Sequence, residues 1–290
     1  MRFNFPKTET IFTTIRGHSY PVERIGKGIP CLMLCLGTPS LRTVSSHFAE
    51  MFEIYSSDMY WVKNSPHTDE LLTFDIVLDD IKSLIDELKL EGCVLFAHSA
   101  YGIIALEFAK KYPHRAKGII MVGTPVNCNA SVGIKNQRIF ELEADHHRKM
   151  IDTNNRETFQ QINKQSFSLE QLFLHEYIYR DAARYWYQLE FDCVELWKGI
   201  ELSPRFIELF SRILPSIDVL KNLEIIKTPI FLAAGLYDFD CCPWLWEEVE
   251  NLPAYFKVER FERSGHWPQC EESQLFDQSV GVWVGEFLTL

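Results

Sequence analysis

The sequence predicts an α/β fold: a mainly parallel sheet flanked by helices and interrupted by one helical insertion. Three observations predict it. Short apolar runs alternate with helix-like stretches over the first 125 residues, the pattern of parallel strands joined by crossover helices. The strand signal vanishes over 126–220. It then resumes to the end of the chain. The organisation read from this is a core formed by 1–125 and 221–290, with 126–220 as a helical cap.

The elements follow in order. "IFTTIRG" and "SYPVERIG", punctuated by the turn-prone Gly17-His18, read as two antiparallel strands. "IPCLMLCLG" is a continuous apolar run ending in glycine, as a strand buried on both faces should be. "VSSHFAEMF" reads as a short helix and "EIYSSDMYWV" as the next strand. In "TFDIVLDDIKSLIDELKL", Ile76, Val77, Ile81, Leu84, Ile85 and Leu88 share one helical stripe. "CVLFAHS" is a strand, "YGIIALEFAKKY" a helix stopped by Pro113, and "KGIIMVGTP" a strand again. The 126–220 region is helix-like, charged and rich in aromatics such as Phe173, Tyr177, Tyr185 and Trp186. Beyond it come the strand "TPIFLAAG", the helix "PWLWEEVENL", the strand "FKVERFERSG" and the closing helix "QLFDQSVGVWVGEFL".

Composition narrows the classes of function. At 290 residues and 47% hydrophobic content the chain can bury a large core. Its net charge of −11, from 40 acidic and 29 basic residues, repels phosphate backbones and anionic lipid. Nucleic acid and membrane are therefore not expected as partners, and a small-molecule substrate is. No apolar run approaches the length of a membrane span. "MRFNFPKTETIFTT" lacks the apolar segment of a secretory leader. Several of the eight cysteines sit in apolar runs such as "CLMLC" and "GCVLF", where a thiol acts as a small hydrophobe. There is no C-x-x-C pair, so neither a disulfide framework nor a zinc site is expected. A cytoplasmic protein with reduced thiols is. With no P-loop, no GxGxxG and no paired-histidine spacing, no cofactor or metal is expected either. Oligomeric state has no signature here.

One constellation carries chemistry. In "FAHSAYG", Ser99 lies between a buried strand and a helix. Such a sharp turn holds a serine hydroxyl above the sheet edge and aims the first helical N–H groups at the same space. The plain alternative is a helix-start serine. Strand and helix nearly touch at such a turn, so small residues are wanted at 97 and 101; Ala97 meets that demand and Tyr101 does not. A serine nucleophile needs a base held by a carboxylate. Of the nine histidines, His266 in "ERSGHWPQCEE" falls in a glycine-containing loop directly after a strand. His146 and His147 read as a solvated helix face, and His98 as packing. Asp238 in "AAGLYDFDCCP" follows another strand, and Asp240 is its competitor, with helix capping as the alternative use. The chain order Ser99, Asp238, His266 places each at the end of a different parallel strand. An acyl-transfer intermediate also needs N–H donors for its oxyanion. The backbone N–H groups of Ala100 and, in "LCLGTPS", of Thr38 are the candidates.

With these residues in place the chain resembles the α/β-hydrolase superfamily along almost its whole length. Within it, the chain is similar to capped members of the proline iminopeptidase and esterase type. "FAHSAYG" stands at that family's nucleophile elbow, "GLYDFDCCP" at its acid, "SGHWPQCEE" at its histidine and "LGTP" at its oxyanion loop. "SSDMYWVKNS" stands at its Asp-x-x-Gly-x-Gly-x-Ser loop, with Trp61 and Lys63 replacing both glycines. Leu36 replaces the usual histidine before Gly37. The resemblance implies a serine hydrolase acting through an acyl-enzyme on a small, apolar carboxylic ester or related acyl compound. Two alternatives stand beside it. One is an aminopeptidase of the proline iminopeptidase type, with Glu176, Asp181, Glu190 or Asp192 holding a substrate ammonium. The other is a catalytically silent binding module. Family members with the same triad also cleave carbon–carbon bonds or transfer acyl groups.

Overall fold

The computed structural model describes residues 8–59, 61–63 and 71–288. The first seven residues, and parts of the Asp58–Ser65 loop singled out above, lie outside the described residues. Eight strands form one sheet: β1 (Glu9–Ile15), β2 (His18–Gly26), β3 (Ile29–Leu34), β4 (Phe52–Ser57), β5 (Cys93–His98), β6 (Ala116–Val122), β7 (Ile230–Gly235) and β8 (Phe256–Phe261). Their spatial order is β1-β2-β4-β3-β5-β6-β7-β8. β2 pairs antiparallel with β1 and with β4, and the remaining neighbours are parallel. The β1–β2 hairpin turns on Arg16 and Gly17, at φ 50° and 79°. Two successive positive φ values suit a two-residue hairpin, so the turn falls one residue before the predicted Gly17-His18.

The continuous apolar runs have a direct structural reason. Successive side chains of a strand point to opposite faces, and here both faces are covered. Leu95, Ala97, Ile119, Met121 and Leu232 enter one hydrophobic cluster; Val94, Phe96, Ile120, Val122, Phe231 and Ala233 enter the other. The first cluster is closed by α2 (Phe74–Glu87) and α3 (Tyr101–Lys111), the second by α1 (Phe48–Met51) and the C-terminal helix Ser273–Phe287. α2 starts where Thr73 accepts a hydrogen bond from Ile76 N, and it buries Val77, Ile81, Leu84 and Ile85 of the predicted stripe.

Several predicted elements are shorter. The helix expected over 44–52 is one turn, α1, preceded by a 3₁₀ turn at Thr38–Thr43. The strand expected from 53 stops at Ser57, and beyond it Val62 N and Lys63 N both donate back to Met59 O. β8 ends at Phe261 because the next backbone donors are taken by side chains: Arg263 N donates to Glu272 and Gly265 N to Glu271.

Between β6 and β7 no strand occurs among the described residues. α4 (Ala130–Glu143) and α5 (His146–Gln161) come first, capped by the Asn129 and Asp145 side chains. Short helices follow at α6 (Leu169–Leu174), α7 (Ala182–Tyr185) and α8 (Pro204–Glu208). The chain then re-enters the core as β7, α9 (Trp244–Glu247), β8, α10 (Pro268–Glu271) and the closing helix, α11 (Ser273–Phe287). Trp186, Trp197 and Leu202 of the insertion join the cluster that covers the α2–α3 face. Among the described residues no helix is long and apolar enough to cross a membrane.

Candidate active site

β5 delivers Ser99 to the carboxyl edge of the sheet, where open parallel sheets hold their ligands. Ser99 has φ 57°, a left-handed conformation that is costly for any residue bearing a Cβ. Two hydrogen bonds hold it there: Ser99 N donates to Val122 O at 2.8 Å, and Gly102 N donates to Ser99 O at 2.9 Å. Ala100 sits at the N-cap of α3, so its N–H belongs to the unsatisfied first turn. The tight approach of this turn falls on Gly102, where a Cβ would lie 2.1 Å from Thr124 Oγ1. Position 101 therefore needs no small residue, contrary to the sequence expectation. Tyr101 is 3% exposed and packs its ring against Trp61 and Phe210, 6.3 and 5.4 Å away.

Asp238 follows β7 and His266 follows β8, and the two loops cross in contact. A Cβ on Gly235 would sit 1.9 Å from Gly265 O. His266 Nδ1 meets Asp238 Oδ2 at 2.7 Å, and both side chains are 1% exposed. The other carboxylate oxygen accepts from Asp240 N at 3.1 Å and Cys241 N at 2.8 Å. Both carboxylate oxygens of Asp238 thus have protein partners. Burial disfavours the His266 imidazolium, but the Asp238 carboxylate outweighs it and the pKa moves above the ordinary value. Asp240 is elsewhere engaged: its carboxylate accepts from Tyr185 OH at 3.3 Å, and burial raises its pKa. No hydrogen bond joins Ser99 Oγ to His266 among the described residues.

Gly37 precedes Thr38 with φ 67°, and a Cβ there would fall 1.2 Å from Asp58 Oδ1. Only glycine meets both conditions. Thr38 opens the 3₁₀ turn Thr38–Thr43, and Leu36 lines the same cavity as Ser99 and Ala100.

That cavity holds about 410 Å³. Tyr101, Phe173, Tyr177, Tyr185, Phe206 and Phe210 make it largely aromatic, and the last five come from the insertion. Asp240 and Glu176 also line it, and no Lys or Arg does among the described residues. Of the other cap acids, Asp181 is held by Arg156 and Arg180 at 2.9 and 2.6 Å. Asp192 caps Val194 N, and Glu190 does not line the cavity.

Asp238, Cys241 and His266 bring ligand-type atoms within 4.8 Å of one another. They do not fit a metal centre. Both carboxylate oxygens and the imidazole Nδ1 are already bonded, and burial beside two carboxylates pushes the Cys241 thiol well above its usual pKa. The thiolate a metal requires is the disfavoured form.

Sequence reasoning missed the residues that hold the histidine loop. His98 Nε2 meets the His266 carbonyl at 3.0 Å, and its ring stacks on Trp267 at 3.4 Å. Burial and the nearby His266 hold the His98 pKa well below its ordinary value, against the hydrogen bond to the His266 carbonyl. Arg148, next to the two histidines read as a solvated face, is 3% exposed, whereas both histidines are exposed. Its guanidinium donates to the carbonyls of Ala183 (2.7 Å), Trp186 (2.7 Å) and Tyr187 (2.9 Å). It also lies over the Tyr237 ring beside Asp238.

A doubly covered parallel sheet, a serine held left-handed at a strand–helix turn, and a buried imidazole–carboxylate pair on neighbouring strand ends together define a class of architecture. Comparison with known proteins gives the family: the chain belongs to the α/β-hydrolase superfamily. It is 31% identical over 215 residues to the AB hydrolase superfamily protein YclE of Bacillus subtilis, covering 73% of this chain and 75% of that one. Among solved structures, an α/β fold family hydrolase from Bacillus anthracis matches with a TM-score of 0.70 at 19% identity, over 95% of this chain and 99% of that one. A proline iminopeptidase-related protein from Thermus thermophilus matches with a TM-score of 0.68 at 18% identity, over 97% and 99%. No protein-family model matches the chain.

Proposed function

We propose that this protein is a serine hydrolase in which 126–220 caps a site for small, largely apolar acyl substrates. The observation that carries the reading is the buried His266–Asp238 hydrogen bond of 2.7 Å in the loops beside Ser99. With Nδ1 committed to Asp238, His266 Nε2 takes the proton as Ser99 Oγ attacks the carbonyl. Asp238 stabilises the imidazolium that forms. The N–H groups of Ala100 and Thr38 receive the oxyanion. Collapse of the intermediate expels the alcohol, which takes its proton from His266. Water activated by the same imidazole then releases the acid and restores Ser99. The aromatic walls from the insertion support an apolar acyl or alcohol portion. The unpaired, buried cysteines support residence in a reducing compartment.

A second reading, an aminopeptidase, draws on one observation. Asp240 and Glu176 line the cavity and, among the described residues, no Lys or Arg does, an arrangement that suits a substrate ammonium and opposes an anionic substrate. Glu176 is already paired with Arg180 at 2.8 Å, which leaves Asp240 as the better acceptor.

The test is intact mass after incubation with a fluorophosphonate probe. One adduct on the wild type and none on Ser99→Ala supports the serine mechanism; no adduct on folded wild type rejects it. Turnover of a p-nitrophenyl ester against a prolyl anilide then separates the two readings.

A further inference from the structure

Glu271 closes α10, five residues after His266, and its two carboxylate oxygens serve two different parts of the molecule. Oε2 accepts from Gly265 N at 2.7 Å, the peptide immediately before His266. Oε1 accepts from Tyr187 N at 2.8 Å and Gln188 N at 3.3 Å, both in the insertion. A second tie runs alongside, since His266 N donates to Tyr185 O at 2.6 Å. The neighbouring Glu272 differs in kind. A single oxygen, Oε2, accepts from both Arg263 N (2.8 Å) and Ser264 Oγ (2.7 Å), and it reaches only the histidine loop.

From this geometry we infer that Glu271 is a positioning residue that joins the seating of the insertion to the placement of the His266 imidazole. The inference rests on the serine-hydrolase reading for its effect on rate, though not for the structural coupling itself. Both arms require an acceptor on each oxygen, which an ionised carboxylate supplies. An amide supplies one acceptor and turns an N–H toward the other donor. Glu271→Gln therefore breaks one arm, whereas Glu272→Gln can keep both of its bonds on one oxygen. Arg148 from α5, Tyr187 from the insertion and Cys270 on the same helix face the site; of these side chains only the Arg148 guanidinium acts on the carboxyl, favouring its ionised form. Burial pushes the Glu271 carboxyl up to about 7, against its N–H donors and the Arg148 guanidinium. Below that pH the carboxyl gains a proton, and one arm is weakened as in the amide.

The experiment compares wild type, Glu271→Gln and Glu272→Gln by two readouts on the full chain. The first is the rate of fluorophosphonate labelling against pH. The second is amide hydrogen exchange in peptides covering 185–190 and 262–266. The expected result is a loss of about 10–100-fold in labelling for Glu271→Gln, with a shallower acid limb than wild type. Exchange should rise in both segments together. Glu272→Gln should behave as wild type in both readouts. The inference is overturned if Glu271→Gln labels at the wild-type rate, or if exchange rises in 262–266 alone. It is also overturned if the two variants lose rate equally. If the wild type itself does not label, the serine reading fails, and exchange alone then decides the coupling. Should Glu271→Gln not fold, Glu271→Asp, which is one carbon short of reaching both arms, takes its place with the same expected pattern.

Discussion

Replacing Ser99 by alanine and by glycine separates backbone strain from chemistry. Ser99 sits at φ 57° without being glycine, and that region costs an L-residue about 1–2 kcal/mol. Alanine keeps the Cβ and so keeps the cost. Glycine removes it, while the added freedom of the unfolded chain returns about 0.5–1 kcal/mol. Ser99→Gly should thus be more stable than Ser99→Ala by about 0.7 kcal/mol, or about 1 °C in Tm. Neither variant has a hydroxyl, so the lost nucleophile cancels in the comparison. Ser99 lines the cavity, so the lost methyl costs little packing. The assay is urea unfolding of both variants, read as a shift in midpoint at constant slope. If the alanine variant proves the more stable, the serine is not strained and the account of this turn is wrong.

Four further outcomes follow from the same structure. The pKa of His266 is raised and the base must be neutral to act, so fluorophosphonate labelling should rise with pH through a midpoint above about 6.5. By linkage, the stability that His266 contributes is full below its unfolded pKa and fades as pH rises through the folded value. Asp238→Asn should lower the labelling rate by about 10⁴-fold and move that midpoint down. Arg148→Met leaves three insertion carbonyls without their donor, so it should cost about 3 kcal/mol or more in unfolding free energy. Limited proteolysis should then cut first within 183–188. Tyr101 OH is buried with no partner among the described residues. Tyr101→Phe should accordingly be neutral or stabilising by about 1 kcal/mol in the same denaturation assay.

What the sequence made legible divides along a physical line. β3, β5, β6 and β7 could be read because strands covered on both faces are apolar at nearly every position. The loops carrying Ser99 and Asp238 could be read because each follows such a strand; that of His266 follows the half-exposed, charged β8 and was marked by its glycine instead. Arg148 and Glu271 could not, since a charge that satisfies backbone groups inside a protein looks, in one dimension, like a charge in water. α5 shows why: Arg148, Asp152 and Phe159 form its buried positions, and two of the three are ionic, so no apolar stripe marks the face. The only hint was spacing, with Arg148 and Asp152 one helical turn apart. At the serine turn Gly102 was visible directly after Tyr101, but the contact that demands it was not. Its cause is Thr124, beyond the next strand in sequence.

The eight unpaired cysteines have a practical consequence. Seven are buried and Cys128 is half-buried, and burial holds Cys35, Cys93, Cys128 and Cys193 up at about 12. At neutral pH the folded chain presents almost no thiolate, whereas an opened segment releases an ordinary thiol with a pKa near 8.5. Cys31 and Cys93 lie in the sheet, Cys193 in the insertion, and Cys241 and Cys242 in the loop that follows Asp238. A thiol-reactive dye would therefore act as a spatially resolved clock of unfolding. The order in which the cysteines become modified would report whether the insertion lifts before the sheet comes apart.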